Sequence, residues 1–235
     1  MPRPWSVVLA MPWPAVAACA LRPPGACPSA PPLVEVRQVD PTIRIELRYA
    51  TARNFTGAPL PGYDAALALL RPAAAEALAR AQEDLGHDGL GLLVWDAYRP
   101  VRATRAMVDW ARRHGHTAWV DSGYIAPRSR HNLGLAVDVT LVRRADGAEL
   151  DLGTPFDEFS ARAHTFAAEG EVLARRLRLR RAMQAAGFEP YDKEWWHFAL
   201  PGDAPPLDVP LRCLAARTAP PPWSPPAPTS TPPRR

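Results

Sequence analysis

Ser129-Arg130-His131-Asn132-Leu133-Gly134-Leu135-Ala136-Val137-Asp138 places a histidine and an aspartate seven residues apart, on either side of a glycine. On one uninterrupted strand an odd separation would send the two side chains to opposite faces. Asn132-Leu133-Gly134 breaks that regularity, so His131 belongs to a loop that feeds a strand over Leu135 to Val142. On that strand Asp138 shares a face with Ala136 and Thr140, small neighbours that leave room for an ion. Val137 and Val139 point into the core. An aspartate flanked by valines on a buried strand is costly unless something neutralises it, and a metal ion does so.

A second stretch, Glu194-Trp195-Trp196-His197, adds a carboxylate and a histidine three residues apart. Only a turn or a strand irregularity brings both to one side. Trp195, Trp196 and Phe198 would then pack around them and exclude water. The two stretches together hold two histidines, an aspartate and a glutamate. That is a ligand set for a catalytic zinc with one carboxylate left over as a base. Zinc held by three side chains keeps a fourth position for water, whose pKa it lowers to about 7. Each piece alone has a plainer reading: a satisfied core histidine, an aspartate capping a turn, a buried tryptophan pair. His87, His114, His116 and His164 have no such companions, and His114-Gly115-His116 reads as a helix-ending loop. No His-Glu-x-x-His helix is present.

Outward from these stretches, strands and helices mix without a strict βαβ rhythm. Thr42 to Arg48 alternates apolar and charged residues, the period of a half-buried strand. Asn54 to Gly62 carries turn chemistry. Arg71-Pro72 starts a helix whose body runs from Ala73 to Leu85, ended by Gly89. Leu90 to Trp95 is a short buried strand that leaves through the loop Asp96-Ala97-Tyr98-Arg99-Pro100. Val101 to Arg113 is an amphipathic helix, Gly170 to Ala186 a second long helix stopped by Gly187, and Trp195 to Leu200 a last short strand. The fold class expected is α+β, a single domain with a mixed or antiparallel central sheet flanked by helices.

Composition bounds the rest. Of the 29 prolines in 235 residues, nine fall in residues 1–32 and eight in residues 220–235. Proline tracts resist packing into helix or sheet, so the catalytic domain is expected over residues 33–219, between a leader (1–32) and a disordered tail (220–235). The formal charge is +4. Its densest basic run, Arg175-Arg176-Leu177-Arg178-Leu179-Arg180-Arg181, has no interleaved aromatics, which argues against a nucleic-acid partner and for the solvated face of a helix. Two readings of the leader stay open. Val16-Ala17-Ala18-Cys19 resembles a lipoprotein processing site, which would anchor the chain to a membrane through a lipidated Cys19 and place it in the periplasm. Pro12 and Pro14 interrupt the apolar region, which favours a low-complexity leader and a cytoplasmic chain. If Cys19 is lipidated, Cys27 and Cys213 remain as a candidate disulfide pair.

The spacing Ser-x-His-(x)6-Asp followed by Glu-x-x-His resembles the zinc D-alanyl-D-alanine peptidases, and within them the VanX-like D,D-dipeptidases. Arg48-Tyr49-Ala50-Thr51, Asn54 to Gly57, Trp95 to Pro100, Gly153-Thr154-Pro155-Phe156-Asp157 and Gly187-Phe188-Glu189 agree in order. The resemblance spans residues 34–202. It implies one Zn2+ per chain held by His131, Asp138 and His197, with Glu194 as general base and then acid. It makes Arg99 the stabiliser of the oxyanion, a role that its permanent charge and forked donors suit; an ordinary ion pair with Asp96 is the plainer alternative. It assigns Asp157 to the substrate ammonium, Tyr49 to the same end of the site and Ser129 to the neighbourhood of the substrate carboxylate. From residues alone Asp157 would pass as a helix N-cap. The implied activity is hydrolysis of the D-alanyl-D-alanine dipeptide, in cell-wall dipeptide turnover or glycopeptide resistance. A D,D-carboxypeptidase, a peptidoglycan endopeptidase and a non-catalytic zinc-binding module that recognises peptidoglycan are the rivals on the same scaffold.

Overall fold

The computed structural model describes residues 27–218. Cys19, most of the leader and the tail 220–235 lie outside the described residues. The chain begins with β1 (Val34–Glu35) and a single turn of helix, α1 (Val36–Val39). Next come β2 (Arg44–Ile45), β3 (Leu69–Leu70), α2 (Pro72–Gly86) and β4 (Leu90–Asp96). Helices α3 (Val101–Arg113) and α4 (Thr117–Asp121) precede β5 (Ala136–Arg143). The remainder is α5 (Gly170–Ala185), β6 (Glu189–Pro190), β7 (His197–Ala199) and α6 (Leu211–Thr218). The central sheet has the order β2-β4-β5-β7-β6, with β2 parallel to β4 and every other pair antiparallel. It is the mixed sheet of an α+β domain.

Helices α2 and α5 cover one side of the sheet. Leu78, Ala81 and Leu85 of α2 and Leu179, Ala182 and Met183 of α5 are buried with Leu92, Val94, Val137, Val139 and Phe188 in one core. Burying a Leu or Met side chain is worth about 1.5–3 kcal/mol, so this cluster fixes the sheet's position. Arg178 ties the two helices at their exposed edge, bonding Asp84 at 2.7 Å and Asp88 at 2.5 Å. Along the basic run on α5 Arg181 is exposed, Arg175, Arg178 and Arg180 are half-buried in ion pairs with acidic neighbours, and Arg176 is buried. Its guanidinium donates to the carbonyls of Leu152 (2.7 Å), Arg162 (3.2 Å) and His164 (2.8 Å). Arg176 is therefore a clamp on the segment that precedes α5, a use that a basic run does not announce.

Register in the sheet positions the chemistry. Val94 pairs with Val139, but the next pair is Asp96 with Asp138, so β4 advances two residues while β5 advances one. The extra residue is Trp95, a bulge that bends the strand and re-aims the side chains beyond it. On the other side of β5, Asp138 pairs with His197 of β7. Asp96, Asp138 and His197 thus form one row across three strands, on one face.

Two expected strands are shorter than their patterns. Of Thr42 to Arg48 only β2 pairs regularly; Glu46 still donates its N–H to Val94 O (2.9 Å), and then Arg48–Ala50 turns as a 3-10 helix that carries Tyr49 inward. Of Trp195 to Leu200 only β7 is strand, because the preceding residues form a turn: Glu194 N bonds Tyr191 O (3.0 Å) and His197 N bonds Glu194 O (3.1 Å). Cys27 and Cys213 form a disulfide across 186 residues of sequence, fastening the first described residues to α6. No described helix is long and apolar enough to cross a membrane.

Candidate active site

Arg130–Leu133 forms a 3-10 turn before β5. Ser129 caps it: its hydroxyl oxygen accepts the His131 N–H at 3.3 Å, and Asn132 returns a bond to the Ser129 N–H. Gly134 ends the turn at φ 70°, in the left-handed region, where an added Cβ would also sit 3.0 Å from Leu33. Glycine is needed here to reverse the chain from the turn into the strand. The turn is then locked to the loop after β4. His131 O accepts the Arg99 N–H (3.1 Å), and Asn132 Nδ2 donates to Arg99 O (2.8 Å) and Thr104 Oγ1 (2.9 Å). His131 and Arg99 are therefore held by one interlocked pair of turns.

The ring of His131 donates Nδ1–H to Ala97 O at 2.7 Å, which leaves its Nε2 lone pair facing Asp138. His131 Nε2 lies 3.2 Å from Asp138 Oδ1, His197 Nδ1 lies 2.9 Å from the same oxygen, and the two nitrogens are 3.1 Å apart. His131, Asp138 and His197 each offer one ligand atom, all within 4.8 Å of one another. Burial lowers the His197 pKa despite the adjacent Asp138, so the ring is neutral, the form that binds metal. Burial acts to raise the Asp138 pKa, but the imidazoles of His131 and His197 beside it outweigh that and hold it well below the usual carboxylate range. Three electron-rich atoms converging in a buried space call for a cation, and two imidazoles with a carboxylate fit a divalent metal with an open position.

Glu194 sits beside this cluster and is buried. Burial, and then the negative charges of Asp138 and Asp157, raise its pKa well above the ordinary value, while Arg99 pulls the other way. A carboxyl raised in this way can both take and return a proton near neutral pH.

Arg99 is buried too, and Nε and Nη2 donate to Asp96 Oδ2 at 2.9 and 2.7 Å. The second oxygen of Asp96 accepts the Tyr63 hydroxyl at 2.5 Å. Arg99 Nη2 also approaches Asp138 Oδ2 (3.6 Å), and its Cζ lies 4.9 Å from the Tyr49 ring centroid. Desolvation disfavours its charge, but Asp96 outweighs that and keeps the guanidinium protonated. The plainer reading of Arg99, an ion pair with Asp96, is present, and the same pair aims the guanidinium at the cavity.

Asp157 has φ 63° and is the one non-glycine residue in the left-handed region among those described. Such a conformation is uncommon for a side-chain-bearing residue and persists where the surroundings enforce it. Here Tyr49 donates its hydroxyl to Asp157 Oδ1 (2.7 Å) and Phe55 its N–H to Oδ2 (3.4 Å). No helix starts at Asp157, so it is not an N-cap. Burial raises its pKa to about 7, with the Tyr49 hydrogen bond opposing.

All eight residues singled out in the sequence, Tyr49, Arg99, Ser129, His131, Asp138, Asp157, Glu194 and His197, line one cavity of about 360 Å³. Tyr63 and the Ala97 carbonyl, which hold Asp96 and His131 in place, are contacts that the sequence does not mark. Asp96 stands in the quoted loop, but its hold on Arg99 depends on the Trp95 bulge. Tyr63 lies 33 residues away in a turn-rich segment with no pattern to mark it.

Comparison with known proteins agrees with this geometry. The family model described as D-ala-D-ala dipeptidase, Peptidase_M15, matches residues 29–216. A D-alanyl-D-alanine dipeptidase of Enterococcus faecium is 37% identical over 174 residues, 67% of this chain and 86% of the relative. Dipeptidases of the same name from Streptomyces coelicolor and Escherichia coli are each 38% identical, covering 67% and 72% of this chain and 86% and 84% of their own lengths. A matching family model over most of the chain, relatives at this identity and a buried His-Asp-His cluster lead to one assignment: the chain belongs to the Peptidase_M15 family of D-ala-D-ala dipeptidases, which are metallopeptidases.

Proposed function

We propose that this chain is a zinc dipeptidase that hydrolyses D-alanyl-D-alanine to two D-alanines. The observation that carries the reading is Asp157, a carboxylate held by Tyr49 in the same cavity as the ligand cluster and Glu194. A free dipeptide has an ammonium one residue from its scissile bond, and a carboxylate in that cavity can receive it. A carboxypeptidase or endopeptidase acts within a longer chain and has no ammonium to place there.

His131, Asp138 and His197 would hold the zinc, which when bound supplies Lewis acidity and a water of lowered pKa. Glu194 takes a proton from the attacking water as its oxygen bonds the carbonyl carbon. Arg99 faces the negative charge that grows on the carbonyl oxygen, a role worth on the order of 10²–10³ in turnover. Glu194 then gives its proton to the amide nitrogen as the C–N bond breaks, so the carboxylate is regenerated. Asp157 and Tyr49 hold the ammonium, which fixes the carbonyl's position and orientation through the reaction. Trp196 is buried beside these groups, which keeps bulk water from competing.

The same proposal places the chain outside the cytoplasm, with residues 1–32 as a leader cleaved before Cys19, which becomes the lipid-anchoring site. The Cys27–Cys213 disulfide supports an oxidising compartment. A role in cell-wall dipeptide turnover or in glycopeptide resistance accords with the substrate. The test is hydrolysis by zinc-loaded protein of D-Ala-D-Ala, L-Ala-L-Ala and D-Ala-D-lactate. Rapid cleavage of the D,D-dipeptide with little of the L,L-dipeptide is expected. Equal cleavage of both, or of neither, would refute the assignment.

A further inference from the structure

Phe159 lines the active-site cavity two residues after Asp157, and the proton chemistry above makes no use of it. Its ring packs edge-on against Phe55 (5.1 Å between centroids, 72° between planes) and Trp119 (5.1 Å, 63°), with Tyr124 6.0 Å away. Phe55 is also the residue whose N–H reaches Asp157 Oδ2 at 3.4 Å, so Phe159 stands at the same end of the cavity as the ammonium contact. Behind this layer lies a second. Trp110 is 5.2 Å from Phe55 and 6.4 Å from Trp119, and His116 stacks on Trp119 at 3.9 Å. Of these rings only Phe159 and Tyr124 line the cavity; the others back them. Aromatic pairs in edge-on geometry attract each other beyond the area they bury, so the Phe159 ring does not swing aside cheaply.

The proposed reaction fixes two substituents of the substrate's first Cα, the ammonium at Asp157 and the carbonyl between the ligand cluster and Arg99. The hydrogen and the side chain take the two remaining directions, and chirality decides which goes where. A rigid ring beside Asp157 bounds the space open to that side chain. We propose, resting on the dipeptidase reading above, that Phe159 is the wall against which the side chain of the substrate's N-terminal residue packs, and that it restricts this residue to a small side chain. Phe55 and Trp119 keep the wall from yielding. A close-packed wall resists added methylenes because its side chains would have to leave their favoured rotamers.

The test measures kcat/KM for D-Ala-D-Ala, D-Leu-D-Ala and D-Ala-D-Leu in zinc-loaded wild type, Phe159→Leu and Phe159→Ala. Wild type should cleave D-Ala-D-Ala much faster than D-Leu-D-Ala. Phe159→Ala should raise the ratio of D-Leu-D-Ala to D-Ala-D-Ala by about 10–200-fold, the scale of a hydrophobic pocket that gains or loses a methylene, and Phe159→Leu by a smaller factor. The ratio for D-Ala-D-Leu, whose bulk lies beyond the scissile bond, should change by less than about threefold. Ratios within one variant cancel any general loss of activity, and Phe159→Leu keeps an apolar side chain in case the alanine variant fails to fold. A site merely loosened by the substitution would admit both bulky dipeptides alike. If the D-Leu-D-Ala ratio stays at the wild-type value, if both bulky dipeptides gain equally, or if wild type already cleaves D-Leu-D-Ala as fast as D-Ala-D-Ala, the wall assignment is overturned. If wild type cleaves none of the three, the dipeptidase reading itself fails and takes this inference with it.

Discussion

Asp96 and Asp138 are direct cross-strand partners on β4 and β5, two buried carboxylates in register. Like charges in that arrangement destabilise a sheet. Arg99 is the cation between them, with Nη2 2.7 Å from Asp96 Oδ2 and 3.6 Å from Asp138 Oδ2. The sheet therefore creates the need for a buried guanidinium at the place where the chemistry can use one.

Arg99→Lys should separate these two roles. The charge survives, so the protein should still fold, but the fork that bonds Asp96 is lost. Turnover should fall on the order of 10²-fold, the scale of a lost oxyanion donor. Arg99→Ala should also lower stability by about 3–5 kcal/mol, because two buried carboxylates lose their partner. Steady-state kinetics and thermal unfolding read the two effects. Full activity in the lysine variant would remove Arg99 from the reaction.

Glu194→Gln should keep its metal and lose its activity. The three ligand atoms converge without Glu194, so metal content by elemental analysis should stay at one per chain. Turnover should drop by about 10²–10⁴ on loss of the proton carrier. Loss of metal instead would make Glu194 a ligand.

Asp157 predicts a pH dependence with a definite sign. Burial raises its pKa to about 7, so below that pH the free protein holds Asp157 neutral and unable to pair with an ammonium. The ratio of wild-type to Asp157→Asn kcat/KM should rise with pH through about 7 and level off above it. Stability should run the other way. A carboxyl whose pKa is raised on folding supports the fold fully below its unfolded value of 3.8, and that support is lost as pH rises through about 7. Metal-free Asp157→Asn should therefore melt above wild type at pH 8 and approach it at pH 4. A pH-independent difference would contradict the raised pKa.

Replacing Cys27 and Cys213 together by serine should cost about 2–5 kcal/mol, since the crosslink closes a long loop. The pair joins the first described residues to α6, away from the ligand cluster, so kcat should change little. Denaturant unfolding with and without reductant checks the first point and steady-state kinetics the second.

Local pattern makes much of this fold legible. The amphipathic period of Val101 to Arg113 marks α3 with its observed bounds, and the valine run marks β5 to within one residue at each end. The convergence of His131, Asp138, Glu194 and His197 on one cavity is legible because they stand in two short stretches of the chain. The features that escape depend on distant partners. The Trp95 bulge exists only against β5, and only through it does Asp96 face Asp138. Arg176 reads as a surface charge until the carbonyls of Leu152, Arg162 and His164 are known to converge on it. The short strands β2 and β7 stop where side chains must turn into the cavity, a demand that alternation cannot encode.

The most direct measurement is the coupling between Asp157 and the substrate ammonium. kcat/KM is determined for wild type and Asp157→Asn with D-Ala-D-Ala and with N-acetyl-D-Ala-D-Ala. If Asp157 binds the ammonium, either change alone should lower kcat/KM strongly, and the two together should lower it little more than the larger one. Two effects that simply multiply would mean that Asp157 and the ammonium do not meet, and the dipeptide would lose its place in this site.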